Sequence, residues 1–329
     1  MRTEGQRPVV MHRYREPVAT MRSLTTHPVA ILIFAMAITP ALAIANSSII
    51  NATCASLTPQ LFDYCMGVLS ADPAAANATD VHGVATAAIN ITAHKVASTL
   101  QVMNYLISEL NTCHDIYGSM EEGLGNVLAD IRVGRFDSAV FEMDMNVTGS
   151  PDGGCDIMLF EGNAHKDPIS EENLQNDLWA SLADAILKTI ERNYCVGVLS
   201  ADPAAANATD AHGLATAAVN ITADKAAATL QVITDLISEL NTCQDIYASM
   251  EEGLANVLTD IRAERFKSAM LEMDVNVTGS PNGGCDIMLF EGSAQKDPIS
   301  EENGENDHWA RLADAILETI GMNASKRGI

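Results

Sequence analysis

Cys113 to Cys155 reads CHDIYGSMEEGLGNVLADIRVGRFDSAVFEMDMNVTGSPDGGC, and this stretch decides the fold. Ile116, Met120, Leu124, Val127, Leu128 and Ile131 recur at helical spacing, so one side of a helix faces a core. Gly134 ends the run as a C-cap glycine does. A second helix begins near Arg135, with Phe136, Ala139, Val140 and Met143 on one face. The two helices form an antiparallel hairpin joined by a very short turn. Cys113 opens the first helix and Cys155 follows the second, so a disulfide across that end is geometrically natural.

The stretch recurs from Cys243 to Cys285 within a longer repeat. Tyr64 to Ile190 matches Tyr194 to Ile320 at a constant offset of 130 residues (194 − 64). Roughly four positions in five are identical, which implies two copies of one fold. Ahead of the hairpin, residues 50–70 read as a short helical arm that Cys54 and Cys65 are placed to close. Asp80 to Leu110 reads as one long helix with Leu100, Met103, Ile107 and Leu110 on a stripe. Behind the hairpin, Pro168-Ile169-Ser170 leads into a last helix whose apolar face is Trp179, Leu182, Ala183, Ile186 and Ile190. Four helices with short links make an up-down-up-down bundle. The expected architecture is all-α: two tandem four-helix bundles, the first with an N-terminal arm. The first occupies 46–192 and the second 193–329. In the second copy the position matching Cys54 is Asp184, so that copy has no arm. No Gly or Pro separates Trp179 from Cys195, so the two bundles are expected in a fixed relation rather than on a flexible linker.

Residues 1–45 read as an extension plus a signal peptide. Arg22 precedes an apolar run from Val29 to Ala45, and Ala41, Ala43 and Ala45 fit a peptidase site, with cleavage expected after Ala45. Met21 is the more ordinary start. The run is short for a membrane anchor and contains Pro40. N-x-[ST] triplets at Asn46, Asn51, Asn77, Asn90, Asn146, Asn207, Asn220, Asn276 and Asn323 accord with a secreted glycoprotein. The formal charge of −24 argues against nucleic-acid partners, because phosphate is repelled. It suits a basic protein partner, or simply keeps a secreted protein soluble.

Catalytic constellations are not found. Adjacent helical residues diverge by about 100°, so Glu121-Glu122 and Glu251-Glu252 read as solvated faces rather than acid–base pairs. His82 and His94 fall on different faces of one helix and cannot share a metal. No G-x-S-x-G, P-loop or H-E-x-x-H occurs. No enzymatic activity, metal or cofactor is expected.

One ordered set of residues goes further. It runs from a C-x10-C arm (Cys54, Cys65) and a long helix to Cys113 with Tyr117 and Leu124. Next come Gly134-Arg135-Phe136-Asp137-Ser138-Ala139, then Cys155 and Phe160, then Pro168-Ile169-Ser170. Present over 50–192, and again over 194–321 without the arm and with Glu264-Arg265-Phe266 at the turn, this set resembles the plant invertase and pectin methylesterase inhibitor family. The resemblance implies a four-helix bundle with a helical arm, and cysteines paired first with second and third with fourth. It also implies secretion to the cell wall, with the vacuole as the lesser alternative, and one-to-one inhibition of a carbohydrate-active enzyme. The expected disulfides are Cys54–Cys65, Cys113–Cys155 and Cys243–Cys285. Seven cysteines leave Cys195 over: a buried free thiol, the link of a disulfide-bonded dimer, or a competitor for Cys54.

The candidate target-binding residues are Arg135, Phe136, Arg265 and Phe266, at the hairpin turns. Some invertase inhibitors of the family carry Pro-Lys-Phe there. Here the cation and the aromatic stand without the proline, and the G-x-[YF]-D-x-A form is equally at home among pectin methylesterase inhibitors. Pectin methylesterase is therefore the expected partner, invertase the alternative, and a secreted structural or allergen-like bundle the second alternative. Phe136 has a competing reading as the first core residue of its helix.

Overall fold

From Ala85 and Ile89 to Val127 and Ile131, buried residues alternate in steps of four and three without a break. Leu106, Leu110, Cys113 and Tyr117 carry the pattern through the middle. That is the seam of a continuous helix packed lengthwise on another. The computed structural model describes residues 49–149, 151–189 and 210–327. In it a short helix, Pro59–Ala71 (α1), is followed by Val81–Arg132 (α2), a single helix of 52 residues. Phe136–Asn146 (α3) and Ser170–Thr189 (α4) complete the first repeat. Ala211–Arg262 (α5, again 52 residues), Phe266–Asn276 (α6) and Ser300–Arg327 (α7) form the second. Among the described residues there is no strand. The fold is all-α, as its composition and periodicity indicate.

The turn expected between Leu110 and Cys113 is absent, so Cys113 sits mid-helix rather than opening one. The reason is local. Asn111 and Thr112 tolerate helix, no proline occurs in 81–132, and the buried seam passes straight through. Asp80 starts the helix as N-cap, its carboxylate accepting from the Gly83 N–H at 2.8 Å; Asp210 does the same for Gly213 at 2.8 Å.

The straightening has a large consequence. α2 and α5 pack against each other antiparallel along their length. Asn104 accepts from Gln244 at mid-helix, and the start of each long helix meets the end of the other. The last helices cross over: α4 packs on α5, and α7 packs on α2. Asn176 on α4 donates to Thr229 on α5 at 2.7 Å, and Asn306 on α7 donates to Thr99 on α2 at 2.8 Å. Each four-helix bundle thus contains the second half of one long helix, the α3 or α6 hairpin partner, the last helix, and the first half of the other repeat's long helix. The sequence boundary near 192 is not a boundary in packing. Instead of standing in tandem, the bundles exchange a helix, and the described residues belong to one compact unit. Reciprocal ion pairs tie the two halves: Lys166 to Glu302 at 3.0 Å and Lys296 to Glu172 at 2.9 Å.

The arm comprises helical residues 49–55 and α1, joined by Cys54–Cys65. It lies against the second repeat's last helix, not its own. Tyr64 packs edge-on to Trp309 and beside His308, and Ser56 meets Thr319 at 3.3 Å. Residues 1–45, Asn46, Ile190, Cys195, Asn207 and the junction between the repeats lie outside the described residues.

Candidate target-binding tips

Each hairpin turn is built to hold one backbone course. α2 ends at Arg132, Gly134 takes a φ of +77°, and the Arg135 N–H returns to the Asp130 carbonyl at 2.9 Å. Glycine reaches that left-handed conformation without strain. In the second repeat Glu264 holds it at φ +58°, a position side chains rarely adopt. Asp130 then fixes the arginine. Its carboxylate accepts from Arg135 Nε at 2.9 Å and from Nη2, and Asp260 holds Arg265 in the same way. The Ser138 hydroxyl and then Arg135 keep the Asp130 carboxyl below its usual range; Ser268 and Arg265 do so for Asp260. Oriented by this fork, the Arg135 side chain remains 64% exposed and that of Arg265 56%.

Phe136 is half-buried against the core, and so is Phe266. Their partners come from the other repeat. The His212 ring meets Phe136 edge-on with centroids 5.8 Å apart, and its Nε2 donates to the Ile131 carbonyl at 2.9 Å. That carbonyl, in the last turn of α2, also accepts from the Gly134 N–H at 3.0 Å. At the opposite tip His82 tilts against Phe266, centroids 4.7 Å apart. Each tip is therefore composite: an exposed, anchored arginine from one repeat beside an aromatic that the other repeat's first turn covers in part. From sequence, His82 is weighed only as a metal ligand and set aside. Nothing local marks it, because its partner lies far along the chain. His94 is exposed, as are Glu121, Glu122, Glu251 and Glu252.

Behind the tip a buried polar chain stiffens the bundle. Tyr117 donates to Asn173 at 2.8 Å, and Asn173 donates to Asp156, next to Cys155. Cys155 is bonded to Cys113, so helix, π-turn and α4 are cross-tied at one level. Tyr247, Asn303 and Asp286 repeat the chain, with Cys243 bonded to Cys285. Burial pushes both tyrosines up. Nearby, burial first and the Asp156 charge second raise Asp167 to about 6, and Asp297 rises to about 6 through the same causes with Asp286. Glu109, also missed from sequence, reaches across to accept from the Asn163 N–H at 2.6 Å, holding the loop that precedes α4. Gly162 is required there, because a Cβ would lie 2.4 Å from the Glu109 carboxylate.

Among the described residues no group of His, Cys, Asp or Glu is arranged to hold a metal. No helix among them is long and apolar enough to cross a membrane. Asn51, Asn77, Asn146 and Asn220 are exposed, Asn90 and Asn276 half-buried, and Asn323 lies on α7.

Rigid helical bundles, disulfide-tied and with oriented side chains at their turns, define a class of protein suited to binding other proteins. The chain belongs to the plant invertase/pectin methylesterase inhibitor family, whose pattern matches residues 48–149 and 184–313. Neither the curated proteins nor the solved structures gave a match.

Proposed function

We propose that this chain is a secreted, non-enzymatic inhibitor of pectin methylesterase, acting in the plant cell wall. Membership of the family supports inhibition of either pectin methylesterase or invertase. The observation that carries the reading is the anchored Arg135 beside Phe136. Its Asp130 fork removes much of the side-chain entropy lost on docking, and arginine and aromatic residues are enriched at binding hot spots. The turn lacks the proline that some invertase inhibitors carry there, and its G-x-[YF]-D-x-A form is equally at home among pectin methylesterase inhibitors, which supports the esterase. Invertase is the second reading, supported by the cation–aromatic pair at the same turn. The apolar run over 29–45 and the exposed sequon at Asn51 support export. A charge of −24 steers the chain to a basic enzyme face, so association slows as salt rises.

The test is inhibition of purified pectin methylesterase and invertase at acidic pH, with and without Arg135→Ala/Arg265→Ala. Inhibition of the esterase that weakens at least tenfold in the double variant, assayed well below a melting temperature that loss of the two aspartate forks lowers by a few degrees, is expected. Inhibition of invertase alone selects the second reading. Unchanged inhibition in the double variant moves the contact surface from the turns to the helical faces.

A further inference from the structure

We infer that one chain holds two molecules of its target enzyme at once, one at each end; this rests on the inhibitory reading above. The argument is geometric. α2 and α5 are each 52 residues long, which is about 78 Å of helix. They run antiparallel, with the His212 end of α5 at the Ile131 end of α2 and the His82 end of α2 at Phe266. The two turns carrying Arg135 and Arg265 therefore point out of opposite ends, about 75 Å apart. A standard interface takes about 800 Å² of each partner, a patch roughly 30 Å across. A globular enzyme of about 300 residues is roughly 50 Å in diameter. Two such enzymes centred on the turns clear each other. Had the bundles folded side by side, or had only one turn stayed open, the second enzyme would be excluded.

The two turns carry matching residues, although the arm packed on α7 flanks only the Arg265 end. Each has an arginine forked onto an aspartate and a phenylalanine backed by a histidine of the other repeat. Around each hairpin the same exposed positions stay apolar: Phe141 and Met145 at one end, Leu271 and Val275 at the other. On the last helices the exposed apolar positions have not stayed apolar. Leu174 and Leu178 on α4 correspond to Gly304 and His308 on α7. The ends differ in charge, since Asp137 at the first corresponds to Lys267 at the second. A basic target fills the Asp137 end first and the Lys267 end at higher concentration.

The experiment measures the mass of complexes by size-exclusion chromatography with light scattering, with pectin methylesterase in excess, alongside a stoichiometric inhibition titration. The wild-type chain should saturate at two enzymes and abolish activity at half a molar equivalent. Arg135→Ala/Phe141→Glu and Arg265→Ala/Leu271→Glu should each bind one enzyme, and the fourfold variant none. Melting curves accompany every variant, and Phe141 and Leu271 are exposed, so loss of binding is separable from loss of fold. Saturation of wild type at one enzyme with full inhibition overturns the inference and leaves the inhibitory function standing. Two enzymes bound by either end variant also overturns it. No complex with pectin methylesterase or with invertase at any ratio removes the inhibitory reading and this inference with it.

Discussion

Asn111→Pro tests the feature on which the architecture turns. Asn111 is exposed at the midpoint of α2, and its side chain donates to the Ile107 carbonyl at 2.8 Å. Proline there deletes a backbone hydrogen bond, drives its ring into the Ile107 carbonyl, and forces Leu110 away from helical geometry. Leu110 is fully buried in the seam, so the disturbance reaches the core. The helix-interior penalty is about 3 kcal/mol or more. For a cooperative unit of this size each kcal/mol shifts the melting temperature by about 2–4 °C, so circular dichroism should show a fall of about 6–12 °C. Asn111→Ala, which removes the side-chain bond alone, is the control and should move it by less than about 2 °C. If the chain instead turned between Leu110 and Cys113, proline would sit in a turn and be neutral or stabilising. A melting temperature for Asn111→Pro within about 2 °C of wild type would therefore refute the continuous helix.

Further outcomes follow from charge. Asp167, Asp297 and Asp314 are each raised to about 6, burial being the first cause in all three. An acid whose folded pKa exceeds its unfolded value of about 3.9 adds stability that is complete below that value and lost as pH rises through 6. Asp130 and Asp260, held low, keep theirs above that unfolded value and lose it as pH falls below it, through their lower folded values. The melting temperature should climb by several degrees from pH 7 to pH 5 and turn down below about 4; a flat profile from 7 to 5 would contradict the burial of the three acids. Lys188 bridges Asp144 at 2.7 Å and Asp184 at 2.8 Å, whereas the matching Glu318 adds to Asp274 and Asp314. Glu318→Lys should stabilise by about 0.5–1 kcal/mol at pH 7 and by less at pH 5; no gain at pH 7 would show that the second repeat's acids do not feel one another. Lys166→Ala and Lys296→Ala each strand a half-buried glutamate of the other repeat and should cost about 1–2 kcal/mol. Melting curves matching wild type would mean that these pairs do not bind the halves together.

How much of this was legible from sequence depends on the range of each contact. The hairpin from Ile116 to Met143 could be read because its periodicity, its Gly134 turn and its two flanking cysteines are local. The continuity of α2 was present too, in the four–three steps through Leu106, Leu110, Cys113 and Tyr117, but segmenting the chain at Cys113 hid it. The exchange of helices had no readable sign. Thr99 and Thr229 are the same residue type, as are Asn176 and Asn306, so a contact made within one repeat looks identical to one made across repeats. Only the whole chain's geometry distinguishes them. The composite tip was hidden for the same reason, since His212 and Phe136 are joined by packing and not by spacing.

The exchanged helices also bind the two repeats into a common inheritance. A core position on the first half of α2, such as Ile89, Val96 or Met103, packs in a bundle whose remaining helices the second repeat encodes. A substitution in one copy must therefore be accommodated by residues in the other. Independent domains on a string can lose or respecialise one member; here the decay of either copy would open both bundles. Each repeat completes the core of the other's bundle.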